Sequence, residues 1–247
     1  MRIHLLIIVY FLVSFDTLSF FGVDYANTGL GTCFAQDDRM TVGIQLKPIF
    51  RNEFFNSGNV DAIEDDVNFS VTPDLGFVGG MIVRKDFGKR FSLETGINYV
   101  KRNYTLLVSD LDSSFSGQLK FGIIEYEIPV SILIYVQLGD RFYMNNSIGL
   151  GINMFKRSVI FQEDHIKASF ARSTWIIPGL IANVGWEYRT ENSGSFYLGG
   201  SYQMPISRIL TMMVDYYASN TIISADYKLS LSYFTFDFKY FFPENKY

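Results

Sequence analysis

The chain has 247 residues, a formal net charge of −4 at pH 7 and 17% aromatic residues, yet its mean hydropathy is only +0.13. The length suits a single β-barrel or sandwich domain, and the lack of a basic cluster leaves nucleic acid binding without an electrostatic basis. After the N-terminus no apolar run approaches the roughly 20 residues that a spanning helix needs.

Arg2 and the apolar stretch from Leu5 to Phe15 have the layout of an export signal, and Cys33-Phe34-Ala35 resembles a small-x-small cleavage site. Residues 1–35 are therefore expected to be a signal peptide and residues 36–247 one mature barrel domain. The apolar core is shorter than an uncleaved membrane anchor requires. Cys33 is the only cysteine, and Leu30-Gly31-Thr32-Cys33 follows a lipoprotein box only loosely, since Thr32 stands where a smaller residue belongs. Cleavage after Ala35 leaves a mature chain without thiol chemistry.

Eight segments alternate with a period of two: residues 40–50, 74–85, 90–102, 121–137, 141–155, 174–189, 195–204 and 229–242. In the third, Phe91, Leu93, Thr95, Ile97 and Tyr99 oppose Ser92, Glu94, Gly96 and Asn98. A soluble sheet would carry long Lys and Glu on its wet face. Here the polar face is mostly Gly, Ser, Asn and Thr, which suits the narrow interior of a small barrel. Short turns at Asp86 to Lys89, Leu138 to Asp140 and Thr190 to Gly194 alternate with long polar connections at 51–73, 103–120, 156–173 and 205–224. That asymmetry is the one found between periplasmic turns and external loops of outer-membrane barrels. Tyr99, Phe142, Trp175, Trp186, Tyr188 and Phe242 stand near strand ends, as interfacial girdles require. Pro129 and Pro178 fall inside proposed strands and count against those boundaries unless a bulge or water accommodates them. A secreted β-sandwich is the competing fold, because alternation alone does not say which face is buried.

Gly76-Phe-Val-Gly-Gly80 with Phe91 to Tyr99, then Tyr126-Glu-Ile-Pro-Val130, then the aromatic terminal strand give the mature chain its likeness. It resembles the outer-membrane β-barrel family common in Bacteroidetes, the PorT-like proteins. The resemblance implies a barrel and an accessory role in protein secretion, but assigns no active residues. Pro243 to Tyr247 departs from it by extending past the terminal aromatic strand.

Little in the chain can carry catalysis. His4 lies in the signal, and His165, the other histidine, sits beside Glu163 and Asp164 with Ser158 and Ser169 nearby, without the third oriented group that a triad needs. Asp61, Glu64, Asp65 and Asp66 form an acidic cluster without Ca²⁺-loop spacing. Glu94, Glu125, Glu127 and Glu187 point inward, where an unpaired charge costs several kcal/mol. Lys47, Arg84, Lys101, Lys120 and Lys239 are the available partners, and the expected network comprises Glu94, Glu125, Glu127, Glu187, Arg84, Lys101 and Lys239. No catalytic, cofactor-binding or metal-binding residue is assigned.

The reading is an all-β, eight-stranded antiparallel transmembrane barrel of the outer membrane. Its expected partners are the bilayer, lipopolysaccharide, the barrel-assembly machinery and a protein bound through four external loops. A narrow channel, a secretion accessory and a lipid-modifying enzyme are the alternatives.

Overall fold

The computed structural model describes residues 39–50, 60–88, 90–110, 115–155, 160–163, 165–172, 175–206, 210–217, 221–228 and 231–243. The expected export signal, Cys33 and the tail after Pro243 lie outside the described residues.

Thirteen strands occur among the described residues: β1 (Met40–Phe50), β2 (Val60–Glu64), β3 (Val67–Asp86), β4 (Phe91–Asp110), β5 (Phe115–Gln137), β6 (Phe142–Phe155), β7 (Ile160–Glu163), β8 (Ile166–Arg172), β9 (Ile176–Arg189), β10 (Ser195–Pro205), β11 (Leu210–Tyr217), β12 (Ile222–Lys228) and β13 (Tyr233–Phe241). All the pairings are antiparallel. The ladder runs β1-β13-β10-β9-β6-β5-β4-β3, and β3 pairs back onto β1, so eight strands form a closed ring of pairings. Closure removes the unpaired sheet edges that invite aggregation. These eight strands are the eight expected from alternation, with several extended at one end.

Sequence alternation becomes radial order in the ring. Ile44, Ile132, Ile148, Leu150, Val184, Leu198 and Phe238 are exposed on the outside, while Gln45, Asn98, Ser131, Asn183, Ser201 and Asp237 are buried. Apolar residues outside and polar residues inside invert the arrangement of a water-soluble core. An aromatic row crosses four neighbouring outer strands: Phe142 faces Tyr188, Tyr188 faces Phe196, and Phe196 faces Tyr240. A second group lies further along the strands, where Tyr99 faces Tyr126 and Phe50 faces Phe234. Phe77 packs 5.9 Å from Tyr99.

Past the second aromatic group the order turns over. On β4 the inward series Ser92, Glu94 and Asn98 continues as Tyr104, Leu106 and Val108, while the outward face turns to Asn103, Thr105 and Ser109. On β5 the outward Ser116, Gln118 and Lys120 give way to Ile124 and Tyr126 in the other direction. On β3 the change of content falls at a register shift between Asp74 and Phe77. There Gly76 comes so close to β4 that an added Cβ would sit 2.5 Å from the Lys101 carbonyl oxygen, so the bulge depends on glycine.

The long polar connections expected at 51–73, 103–120, 156–173 and 205–224 are a correction. They contain β2 and the start of β3, the paired ends of β4 and β5, the β7–β8 hairpin, and β11 with the start of β12. Strands β12-β11-β8-β7 form a second sheet. Its Ile166, Ala168, Phe170, Met212, Val214 and Tyr216 share one buried cluster with Val67, Phe69, Val71, Leu106, Leu119 and Phe121 from the extended β3, β4 and β5. Two sheets that bury their apolar faces together make a folded cap on the ring.

The in-strand prolines cause no bulge. The β4–β5 register keeps the same offset on both sides of Pro129, with Thr95 opposite Val130 and Asn98 opposite Glu127. The Thr95 hydroxyl donates to the Pro129 carbonyl at 2.8 Å. Pro178 lies at the end of the β9–β10 ladder, beyond the last pair of Gly179 with Pro205, and its carbonyl accepts from the Ile206 N–H at 2.9 Å.

Candidate functional site

The inward side chains of the ring form a layered network. At the short-turn end Arg84 joins two carboxylates, with Nη1 2.7 Å from Glu187 and Nη2 3.0 Å from Glu94. Lys239 pairs with the other Glu94 oxygen, and Arg189 Nε donates to Glu187 at 2.7 Å. The Arg84 guanidinium lies 3.6 Å from the centre of the Phe241 ring, a stacking that favours Arg over Lys.

The next layer centres on Asp237, which is fully buried. It accepts from Asn183 at 3.0 Å, from Thr235 at 2.6 Å and from Ser201, and Lys47 Nζ lies 3.1 Å away. Above it, Gln45 donates to Asn98 at 2.5 Å and Asn98 donates to Glu127 at 2.7 Å. The Tyr233 hydroxyl donates to Gln203, whose amide reaches Asn153 at 2.9 Å. Last, Arg102 lies 2.9 Å from Glu125 and donates to the Leu231 carbonyl at 3.0 Å. The Arg102 Nη2 direction is off-line for a hydrogen bond to Glu125, so that contact is an ion pair only. Beyond it begins the apolar cluster of the cap.

Of the expected network, Glu94, Glu187, Arg84 and Lys239 come together directly, and Glu125 and Glu127 stand inside at higher layers. Lys101 is a correction: it shares the outward side of β4 with Tyr99 and Asn103, because its neighbours Val100 and Arg102 are the buried ones. Lys120 likewise stands on the exposed side of β5. Arg102, Arg189 and Asp237 belong to the interior and were not among the expected members. Their inward parity on β4, β9 and β13 was the available signal. Among the described residues the interior holds Lys47, Arg84, Arg102, Arg189 and Lys239 against Glu94, Glu125, Glu127, Glu187 and Asp237, so its formal charges balance.

The other expected positions are dispersed. His165 sits at the β7–β8 turn with its ring 5.9 Å from Phe115. Ser169 donates instead to the Met213 carbonyl at 3.5 Å, while Ser158 and Asp164 lie outside the described residues. Asp61 accepts from Ser70 at 2.5 Å, and Asp65 and Asp66 form the β2–β3 turn at φ 46° and 63°, a left-handed backbone that Asp tolerates better than most residues.

At the short-turn end the interior opens into two adjoining cavities of about 740 and 850 Å³. Both are lined by Arg39, Asp86 and Arg189; the first also reaches Arg84 and Glu187, the second Arg90, Tyr135 and Tyr143. The Arg189 guanidinium stands 4.7 Å from the Tyr135 ring centre and 4.4 Å from that of Tyr143.

The comparisons agree with this architecture. The fold is similar to that of the outer membrane protein OprG from Pseudomonas aeruginosa, with a TM-score of 0.51 at 13% identity over 85% of this chain and 98% of that one. The β domain of the Bordetella autotransporter Brka aligns with a TM-score of only 0.23 at 8% identity, covering 84% of this chain and all of that one, too low to carry an argument. No curated protein matches. The family description "Outer membrane protein beta-barrel domain" matches residues 34–211. With the inside-out ring and the match covering well over half its length, the chain belongs to the outer membrane protein beta-barrel domain family.

Proposed function

We propose that this chain is an eight-stranded barrel spanning the outer membrane, exported by a signal over residues 1–35, with a closed interior. Its capped end faces outward as a binding surface for lipopolysaccharide or a protein partner, and it performs no catalysis. The observation that carries this reading is the vertical order of the contents: a charge-balanced network across the ring, then an apolar cluster over it. An eight-stranded barrel is about filled by its own side chains, and an ion meeting the apolar cluster would have to shed its water. Planar-bilayer recordings of the purified protein are expected to show no discrete conductance steps; stable steps would overturn the closed reading. The narrow-channel alternative draws on Gln45 Oε1 and Asn145 Oδ1, buried acceptors without a partner among the described residues. Internal water satisfies such atoms without any conduction.

The outward apolar band supplies a second test. Ile148 is 66% exposed and faces Ile132 and Ala182 on the neighbouring strands. In lipid, Ile148→Arg is expected to cost about 2–4 kcal/mol. Ser116→Arg on the exposed cap face is expected to stay within about 0.5 kcal/mol. Reversible urea unfolding in phospholipid vesicles measures both, and equal tolerance would contradict a membrane-facing band.

The PorT-like resemblance keeps a secretion accessory as an analogy. The segments that carry it, Gly76 to Gly80, Phe91 to Tyr99, Tyr126 to Val130 and the aromatic terminal strand, lie in β3, β4, β5 and β13 and build wall rather than site.

A further inference from the structure

The outward face of the ring carries a groove of about 700 Å³ where β1, β13, β10, β9 and β6 run side by side, and we propose that it holds one acyl chain of a resident phospholipid. One wall is the aromatic row from Phe142 through Tyr188 and Phe196 to Tyr240, continued by Ile44 opposite Tyr240. The other wall stands two residues further from the short turns: Leu46 faces Phe238, Phe238 faces Leu198, and Leu198 faces Trp186. Between the walls lies the row of Gln45, Lys239 and Tyr197, paired in that order. Their side chains turn inward and are buried, so on the outside the strip between the walls is floored by backbone. Elsewhere the outward band is built from shorter side chains such as Ile132, Leu150 and Val184. Here rings on both sides give the strip its depth.

What covers the groove follows from where it opens. Its walls are exposed, Trp186 to 48% and Leu198 to 51%, on the outward side of a chain of the outer-membrane barrel family. Hydrocarbon therefore faces it, a step that rests on the membrane-spanning reading proposed above. The turn-side wall ends at the water level: the Tyr240 hydroxyl donates to the Ser193 carbonyl at 3.1 Å, and Arg141, next to Phe142, pairs with Glu191 in the open. A headgroup held at that level leaves its chain to enter the groove. Neighbouring strands stand about 4.8 Å apart, so the groove from β1 to β6 runs about 19 Å. One leaflet's share of the hydrocarbon core is about 15 Å, so a single chain fits along it. Barrel strands tilt by about 35–45°, and a groove that crosses them lies aslant to the chains of the bulk lipid. With the cap outward, the short turns face the periplasmic leaflet, which makes the occupant a phospholipid.

Trp186 reports on the groove directly, because Trp175, just before the far end of β9, is the only other tryptophan. The full chain is folded in detergent as two single-tryptophan versions, Trp175→Phe and Trp186→Phe. Each is titrated with phosphatidylglycerol carrying a brominated acyl chain, which quenches indole fluorescence on contact. The expected result is saturable quenching of Trp186 near one lipid per protein, while Trp175 quenches only in proportion to the lipid's share of the micelle. Leu198→Phe in the Trp175→Phe version fills the dip between Phe238 and Trp186 and leaves the wall apolar. It is expected to raise the lipid needed for half-quenching about tenfold, as displacing about two methylenes would. Leu46→Phe carries the same test at the β1 end if Leu198→Phe does not fold. Proportional quenching of both tryptophans means an ordinary shell of exchanging lipid and overturns the proposal, as does saturation that neither variant moves. A dimer in sedimentation that Leu198→Phe breaks, without saturable quenching, gives the groove to a second copy and also overturns it. A boiling-dependent gel shift is measured for every sample. If the parent lacks the shift, the barrel reading fails and takes the groove lipid with it; if the shift is kept without saturable quenching, only the lipid proposal fails.

Discussion

Replacing Arg84 with Met is expected to lower stability in lipid by about 3–5 kcal/mol, because it leaves buried carboxylates without their shared cation. Arg84 is 3% exposed and is the link between Glu94 on β4 and Glu187 on β9. Glu94 retains Lys239 and Glu187 retains Arg189 after the change, which places the loss toward the lower end of that range. Methionine fills much of the space beside Phe241, so the effect is mainly electrostatic. Adding Glu187→Gln to Arg84→Met is expected to recover part of the loss, since the double change removes a charge of each sign. Urea unfolding of the two single variants and the double variant in phospholipid vesicles gives the coupling directly. A single-variant loss below about 1 kcal/mol would mean that water already screens the pair.

The second large effect belongs to the cap. Phe121 is 5% exposed and stacks on Tyr104 at 5.4 Å, with Phe170 at 4.9 Å and Phe161 at 5.7 Å. Phe121→Ala removes the ring that joins β4 and β5 to the second sheet and is expected to cost about 3–5 kcal/mol. The loss is local, so the boiling-dependent gel shift should persist while protease sensitivity rises in the β7–β8 and β11–β12 segments. Lys120→Ala, one residue away on the exposed side, is the control and is expected to change stability by less than about 0.5 kcal/mol. Unchanged protease sensitivity in Phe121→Ala would mean that the second sheet does not depend on this cluster.

The ring was legible because period-two patterning is local, and each of its eight strands could be marked from its own residues. The cap was not. From Tyr104 to Val108 and from Ile166 to Phe170 the alternation persists, but the apolar side chains have moved from the outward to the inward parity. Surrounding polar residues therefore made these stretches look like loops. Lys101 was misplaced at that same crossover, where charge pointed to it as an interior partner while parity points to Arg102. The Arg84–Glu187 pair spans 103 positions, and no short-range pattern reveals which inward residues meet across a ring.

The inversion along β4 and β5 also bears on how the molecule gets into place. With the capped end outward as proposed, the hairpin's eventual cap residues cross the bilayer without partners, so passage precedes their collapse. Once Phe121, Leu106 and Phe170 close together on the far side, withdrawal would require that cluster to be torn open first. The cap then works as the head of a rivet, making insertion a one-way event without a covalent lock.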